Sequence, residues 1–361
     1  MKAVYWSLAA DGASFHRDLL LISDGSIPEA EGTKVLVRVK ACGLTDIDVE
    51  LLQELGLFRQ KLPCGTQISG VVTKVGSAVT RFAVGDDVVG VLPLDTEYAG
   101  CAEYCLLEEY NLVSKPPKVS YKAAAACIGE GVKMYTALRY LGHVCGGETV
   151  LIMDGAWPAG FIGVQLAQEW GSKVITTASS ETARMVLETV KPEIAHVVDR
   201  SERKRFAILN ECLEDTGGLG VDCIIDDGVT MYPNEVEESG QSPNGDISQS
   251  KRSLPEKHEV ISTLGIGGRW VTSQRNLQLD PPDSRLLQLK GASVCFLNDA
   301  TWTLASHKQG KYLHILRDIM QKLEKGTLKP PETHSLKLDE VSTKLKNLLS
   351  SPGYQKIIME M

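Results

Sequence analysis

The chain has 361 residues, 43% hydrophobic and 23% charged, with a net charge of −8. That mix describes a globular protein long enough for two domains, and it excludes a globally disordered chain. The acidic balance argues against nonspecific nucleic-acid binding, which needs a basic face that releases counterions. No run of about 18 apolar residues is present, so no membrane span is expected.

In chain order, Lys34 to Lys40 alternates apolar and polar residues, which predicts a half-buried strand. Short Val-rich runs separated by Gly-Ser and Gly-Asp turns follow from Ser69 to Val91, at hairpin spacing. The first hundred or so residues therefore read as β-rich. Lys122 to Ala126 then opens a helical stretch. From Glu148 the period lengthens. Val150–Met153 reads as a strand buried on both faces, Phe161 to Trp170 as a helix, and Gly171 as its C-terminal stop. Lys173–Ala178, His196–Val198 and Gly220–Asp226 read as further strands, with a helix from near Glu181 between the first two. Strands alternating with helices predict an α/β domain with a doubly wound parallel sheet. Residues 233–257 are rich in Ser, Pro, Gly, Asn and charge, and read as an exposed, mobile insertion; a lid or docking segment is the alternative. Order is expected to return at Val260–Gly265.

The turn between the first two strands of this domain carries the strongest chemical signal. A dinucleotide-binding turn reads G-x-G-x-x-G: one glycine for the bend, one for approach of the pyrophosphate, one for helix–strand packing. Gly155 and Gly160 occupy the first and third positions, and Trp157, followed by Pro158, stands at the second. The alternative is an ordinary βα turn with two glycines. The next strand ends at Ala178, Ser179 and Ser180, with no carboxylate to bind a ribose 2′-hydroxyl, and Arg184 stands one turn into the following helix. A dinucleotide here is expected to be NADP(H) rather than NAD. The nine cysteines are scattered and mostly lie in apolar runs, which with the lack of a leader pattern predicts reduced thiols and a cytoplasmic protein.

Several segments together resemble a family: VKACGLTDIDVELL (39–52), the stretch 75–95 with GDDVVG, VLIMDGAWPAGFIGVQLA (150–167), GGLGVD (217–222) and residues 277–299. They are similar to the medium-chain dehydrogenase/reductase superfamily, in its zinc-free quinone oxidoreductase (zeta-crystallin) branch. The resemblance implies a Rossmann domain over 128–299 and a β-rich GroES-like catalytic domain made of 1–127 and 300–361. It also implies reduction of a small-molecule quinone or conjugated enone by direct hydride transfer. Zinc-dependent relatives place Cys, His and Glu where this chain has Thr45, Thr66 and Gln67, so no metal is expected. Cys101 and Cys105 are expected to be buried small hydrophobes.

The resemblance places Thr45 and Asp48 in the catalytic pocket, Thr45 as a donor to a carbonyl oxygen or else a satisfied turn hydroxyl, Asp48 in a chemical role or else as a helix-start carboxylate. The cofactor would lie on Gly155, Ala156, Ala159, Gly160, Ser179, Ser180, Arg184, Gly228 and Gly265, the last in the strand end Leu264–Gly267. A homodimer is implied through the Rossmann sheet edge, for which Gly291–Leu297 has the composition. Trp157, the altered pocket and the insertion at 233–257 raise the alternative of a non-catalytic binding or scaffold protein, and the resemblance raises an RNA-binding role that the −8 charge disfavours.

Overall fold

The computed structural model describes residues 1–11, 14–202, 204–231, 254–350 and 353–361. The chain divides into two compact units, Met1–Val132 with Ala300–Met361, and Lys133–Asp299. One division falls inside the helix Tyr121–Tyr135.

Sixteen strands are described. Eight come first: β1 (Ala3–Asp11), β2 (Ser14–Ile22), β3 (Lys34–Leu44), β4 (Lys61–Pro63), β5 (Gln67–Val75), β6 (Asp87–Val91), β7 (Tyr104–Glu108) and β8 (Leu112–Ser114). The second unit holds β9 (Thr149–Ile152), β10 (Lys173–Ala178), β11 (His196–Asp199), β12 (Val221–Asp226), β13 (Leu264–Thr272) and β14 (Ser293–Phe296). The chain then returns to the first unit with β15 (Thr333–Lys337) and β16 (Lys356–Glu360).

In the first unit, β2-β1-β4 form a small antiparallel sheet, and β15-β16-β3-β5-β6-β8 form a larger one in which β7 also pairs with β3. β3 was expected to be half-buried, but Val35, Leu36 and Val37 are all within 1% of full burial. The strand is central rather than marginal, with β5, β7 and β16 as partners. Helix Tyr121–Tyr135 covers part of its second face, where Ala125 and Ala126 pack with Ala41 and Ile358. An alternating pattern reports one wet face only where nothing packs on it.

The second unit is a parallel sheet in the order β11-β10-β9-β12-β13-β14. Counted along the chain this is 3-2-1-4-5-6, the doubly wound order, with its reversal between β9 and β12. Leu151, Ile175, Val198, Ile224 and Trp270 from successive strands form its core with Val260 and Ile261. Those last two residues lie in a helix, Lys257–Thr263, where order was expected to return.

The insertion expected over 233–257 lies outside the described residues as far as 253. Its last residues depart from the expectation of exposure: Pro255 and Lys257 are buried, and the Lys257 ammonium pairs with Asp280 and Asp283 at 2.9 and 3.0 Å.

Candidate functional site

In an open parallel sheet, ligands bind beyond the carboxyl ends of the strands where the order reverses. Here that edge is formed by the turn after β9 and the ends of β10, β11, β12 and β13.

The turn after β9 is pinned by two threonines of β10. Thr176 donates to Ile152 O at 2.7 Å and accepts from Gly155 N at 3.1 Å, while Thr177 Oγ1 accepts from Asp154 N at 2.8 Å. The bend itself is made by Asp154, whose φ of 52° is left-handed, and not by Gly155 as the motif suggested. Gly155 is required for another reason: a Cβ there would stand 2.1 Å from Thr176 Oγ1. Gly160 has the expected packing role, since a Cβ would lie 2.5 Å from Asp154 O and 2.7 Å from Gly155 Cα.

Helix Pro158–Glu169 starts from Trp157, an extended N-cap that is half-buried, with Pro158 in the first position. Proline is preorganised there because it lacks an N–H that would have no partner. The amides of Ala159 and Gly160 belong to the first turn, and their N–H groups have no acceptor within the helix. Ala156 is buried beneath the turn.

At the end of β10, Ala178 is buried, Ser179 is exposed, and Ser180 caps the helix Glu181–Glu188 by accepting from Ala183 N at 3.1 Å. Arg184 is engaged with a carboxylate that sequence reading did not single out: its guanidinium lies 3.0 Å from Asp199. Asp199 ends β11 and stands in register with Ala178. The Ser201 amide, and then Arg184, hold its carboxyl below the usual carboxylate range.

The ends of β12 and β13 are joined by a second unanticipated acid. Asp226 is 3% exposed. It accepts from Gly228 N at 2.8 Å, from Thr272 Oγ1 at 2.6 Å and from the indole nitrogen of Trp270. Burial pushes its carboxyl up to about 6 despite these donors. Gly228 has φ 134°, a conformation L side chains rarely adopt, and Gln274 Oε1 accepts from the neighbouring Val229 N at 3.3 Å. Asp227 pairs with Lys133 at 2.5 Å.

The parallel sheet thus puts Gly155, Ala156, Ala159, Gly160, Ser179, Ser180, Arg184 and Gly228 along one carboxyl edge. Gly265 is not among them. It opens β13 rather than closing it, and lies against Leu219 O and Val221 O at the amino end of β12. The real end of β13 is Thr272, leading to Ser273 and Gln274. The resemblance alone implies Gly265 at a strand end. Asp226 itself was legible as the polar residue ending an apolar strand, a signal that marks the ligand edge of a parallel sheet.

In the first unit, Thr45 follows β3 directly and is exposed. Asp48 takes its structural alternative: it caps the helix Val49–Glu54, accepting from Leu51 N at 2.9 Å. The loop between them is anchored by Arg17, which donates to Asp46 and to Ile47 O at 3.3 Å. Gln67 is 7% exposed and packs on Gly43 and Gly129, as a core amide. Cys101 and Cys105 are fully buried, and burial pushes both thiols up. Among the described residues no group of three or more His, Cys, Asp or Glu side chains converges as a metal site, and no helix is long and apolar enough to cross a membrane.

A doubly wound parallel unit with a β-rich unit built from both ends of the chain is the architecture of the medium-chain dehydrogenase/reductases. Residues 31–149 match the alcohol dehydrogenase GroES-like domain. Over 335 residues the chain is 44% identical to quinone oxidoreductase-like protein 1 of Mus musculus, a match covering 93% of each chain. It is 25% identical over 342 residues to the Homo sapiens quinone oxidoreductase, covering 93% of this chain and 91% of that one. Among solved structures, the quinone oxidoreductase of Pseudomonas syringae pv. Tomato DC3000 has the same fold, with TM-score 0.75 and 22% identity over 100% of both chains. A mycobacterial protein complexed with NADPH has TM-score 0.76 and 19% identity, again over 100% of both. The chain belongs to the quinone oxidoreductase branch of the medium-chain dehydrogenase/reductase superfamily, a family of oxidoreductases.

Proposed function

We propose that the protein is a zinc-independent, NADPH-dependent reductase of quinones or related conjugated carbonyls. The observation that carries this reading is the carboxyl edge: eight of the nine residues singled out for a dinucleotide meet there, on a sheet whose order reverses beside them. The donor set suits the group. The Ala159 and Gly160 amides face the place where a diphosphate would sit at a helix N-terminus. Ser179, Arg184 and the absence of a carboxylate at Ala178 suit a ribose phosphate. The NADPH-complexed structure of the same fold supports the choice.

When bound, a reduced nicotinamide dinucleotide supplies a hydride; conversion of a quinone to its hydroquinone needs that hydride and one proton. The exposed Thr45 hydroxyl is suited to donate a hydrogen bond to a carbonyl oxygen as negative charge develops there. Asp48, engaged as a cap, holds the helix behind that loop. Thr45 and Gln67 offer no thiolate or imidazole, so polarisation by hydrogen bonding takes the place of a Lewis acid. The exposed edge strand β14, with Phe296 57% exposed, supports pairing into a homodimer. A cytoplasmic location accords with nine cysteines that are all free thiols.

A second reading, a non-catalytic binding protein, is favoured by one observation: Trp157 and Pro158 begin the helix where the phosphates would approach. Titration of NADPH fluorescence with the parent chain and with Trp157→Gly separates the two. Glycine is a serviceable N-cap, so the variant is expected to fold. The reductase reading expects the parent to bind NADPH and to reduce a model quinone. Binding by the variant alone establishes the second reading, and binding by neither at millimolar cofactor overturns the first.

A further inference from the structure

We infer that Asp199 determines cofactor specificity by competing with a 2′-phosphate for Arg184. The inference rests on the nucleotide reading of the carboxyl edge and deepens it.

The position that selects between the two nicotinamide dinucleotides is the end of the second strand, β10 here. Ala178 occupies it, and an alanine neither binds a ribose hydroxyl nor repels a phosphate. The sheet register supplies what β10 lacks. Asp199 of β11 is the residue paired with Ala178, so its side chain and that of Ala178 belong to the same face of the sheet. A carboxylate thus stands one strand away from the usual selecting position, at the same level. Arg200, the next residue, donates its backbone N–H to Ala178 O at 2.8 Å, which holds the two strand ends together.

That carboxylate is engaged with Arg184, the guanidinium otherwise suited to the phosphate. It is also kept ionised by the Ser201 amide at 2.8 Å. The Arg184 and Asp199 side chains retain 37% and 47% of their exposure, so the pair is open to an arriving ligand. With an unphosphorylated ribose, the pair stays intact. With a 2′-phosphate, Arg184 must divide its donors between two anions, and the fixed charge of Asp199 opposes the new one. The chain therefore accepts NADPH through Arg184 while limiting its preference over NADH through Asp199.

The test uses the full chain and titrates NADPH and NADH separately against the parent, Asp199→Asn and Arg184→Gln. Asn keeps the acceptor for Ser201 N and removes only the charge. Asp199→Asn is expected to tighten NADPH about fivefold and change NADH less than twofold, the scale of one half-exposed charge at contact range. Arg184→Gln is expected to weaken NADPH about fivefold and leave NADH unchanged. The Asp199→Asn gain should shrink between 0.05 and 0.5 M salt, which a packing effect would not do. An unaltered NADPH-to-NADH ratio in Asp199→Asn, with the parent binding NADPH, overturns the inference alone. A parent that binds neither dinucleotide overturns the nucleotide reading and this inference with it.

Discussion

Replacing Asp226 with Asn isolates a buried charge from the hydrogen bonds around it. In the folded chain this carboxyl titrates at about 6, against an ordinary 3.8. The folded state therefore binds more protons than the unfolded state between those values, and stability contributed by the protonated form is lost as pH rises through 6. Two pH units at about 1.4 kcal/mol each amount to roughly 3 kcal/mol once the group is ionised in both states. One carboxylate oxygen serves Gly228 N and Thr272 Oγ1, and the other serves the Trp270 indole. An Asn carbonyl can replace only one of the two oxygens, so its NH2 group faces a buried donor, at about 1–3 kcal/mol. Asp226→Asn is accordingly expected to be less stable than the parent at pH 5. About 1.5 kcal/mol of that gap should disappear by pH 8, because the variant no longer buries a charge. Guanidinium unfolding followed by circular dichroism at pH 5, 6.5 and 8 measures the gap. A difference constant across those three values refutes the assignment of a perturbed, buried carboxylate to the end of β12.

Gly160→Ala sets helix propensity against packing. Propensity alone favours alanine by about 1 kcal/mol. The added Cβ meets the backbone of Asp154 and Gly155, however, so a net loss of about 1–3 kcal/mol and a lower Tm are expected. A variant as stable as the parent would show that the turn after β9 is not packed as described. In the first unit, the Lys356 side chain is 4% exposed and faces Glu130. Glu130→Gln leaves that ammonium buried without its counter-charge and should destabilise by about 3 kcal/mol. The double variant Glu130→Gln, Lys356→Met should recover most of this in the same melting assay, and failure to recover would mean that the pair is not a coupled unit.

Some parts of the site were legible from local pattern. The β9–helix–β10 succession, the packing role of Gly160 and the polar end of β10 each depend on residues within about thirty positions of one another. The errors are as specific. Leu264–Gly267, which the resemblance implies as the end of a strand, is the beginning of one, directly after the helix Lys257–Thr263. Leu36 sits at a polar-face position of an alternating pattern yet is buried.

From its residues alone this protein could be read as two domains, one of them a doubly wound sheet with a nucleotide-type turn, because hydrophobic period and glycine spacing are properties of short stretches. The pairing of Asp199 with Arg184, the threefold grip of Asp226 on Gly228, Thr272 and Trp270, and the displacement of Gly265 to the opposite edge were decided by the register of strands brought together from distant parts of the chain. A side chain's local sequence tells which face of an element it occupies. Which charge or donor it meets depends on a neighbouring strand, and only the assembled sheet determines that.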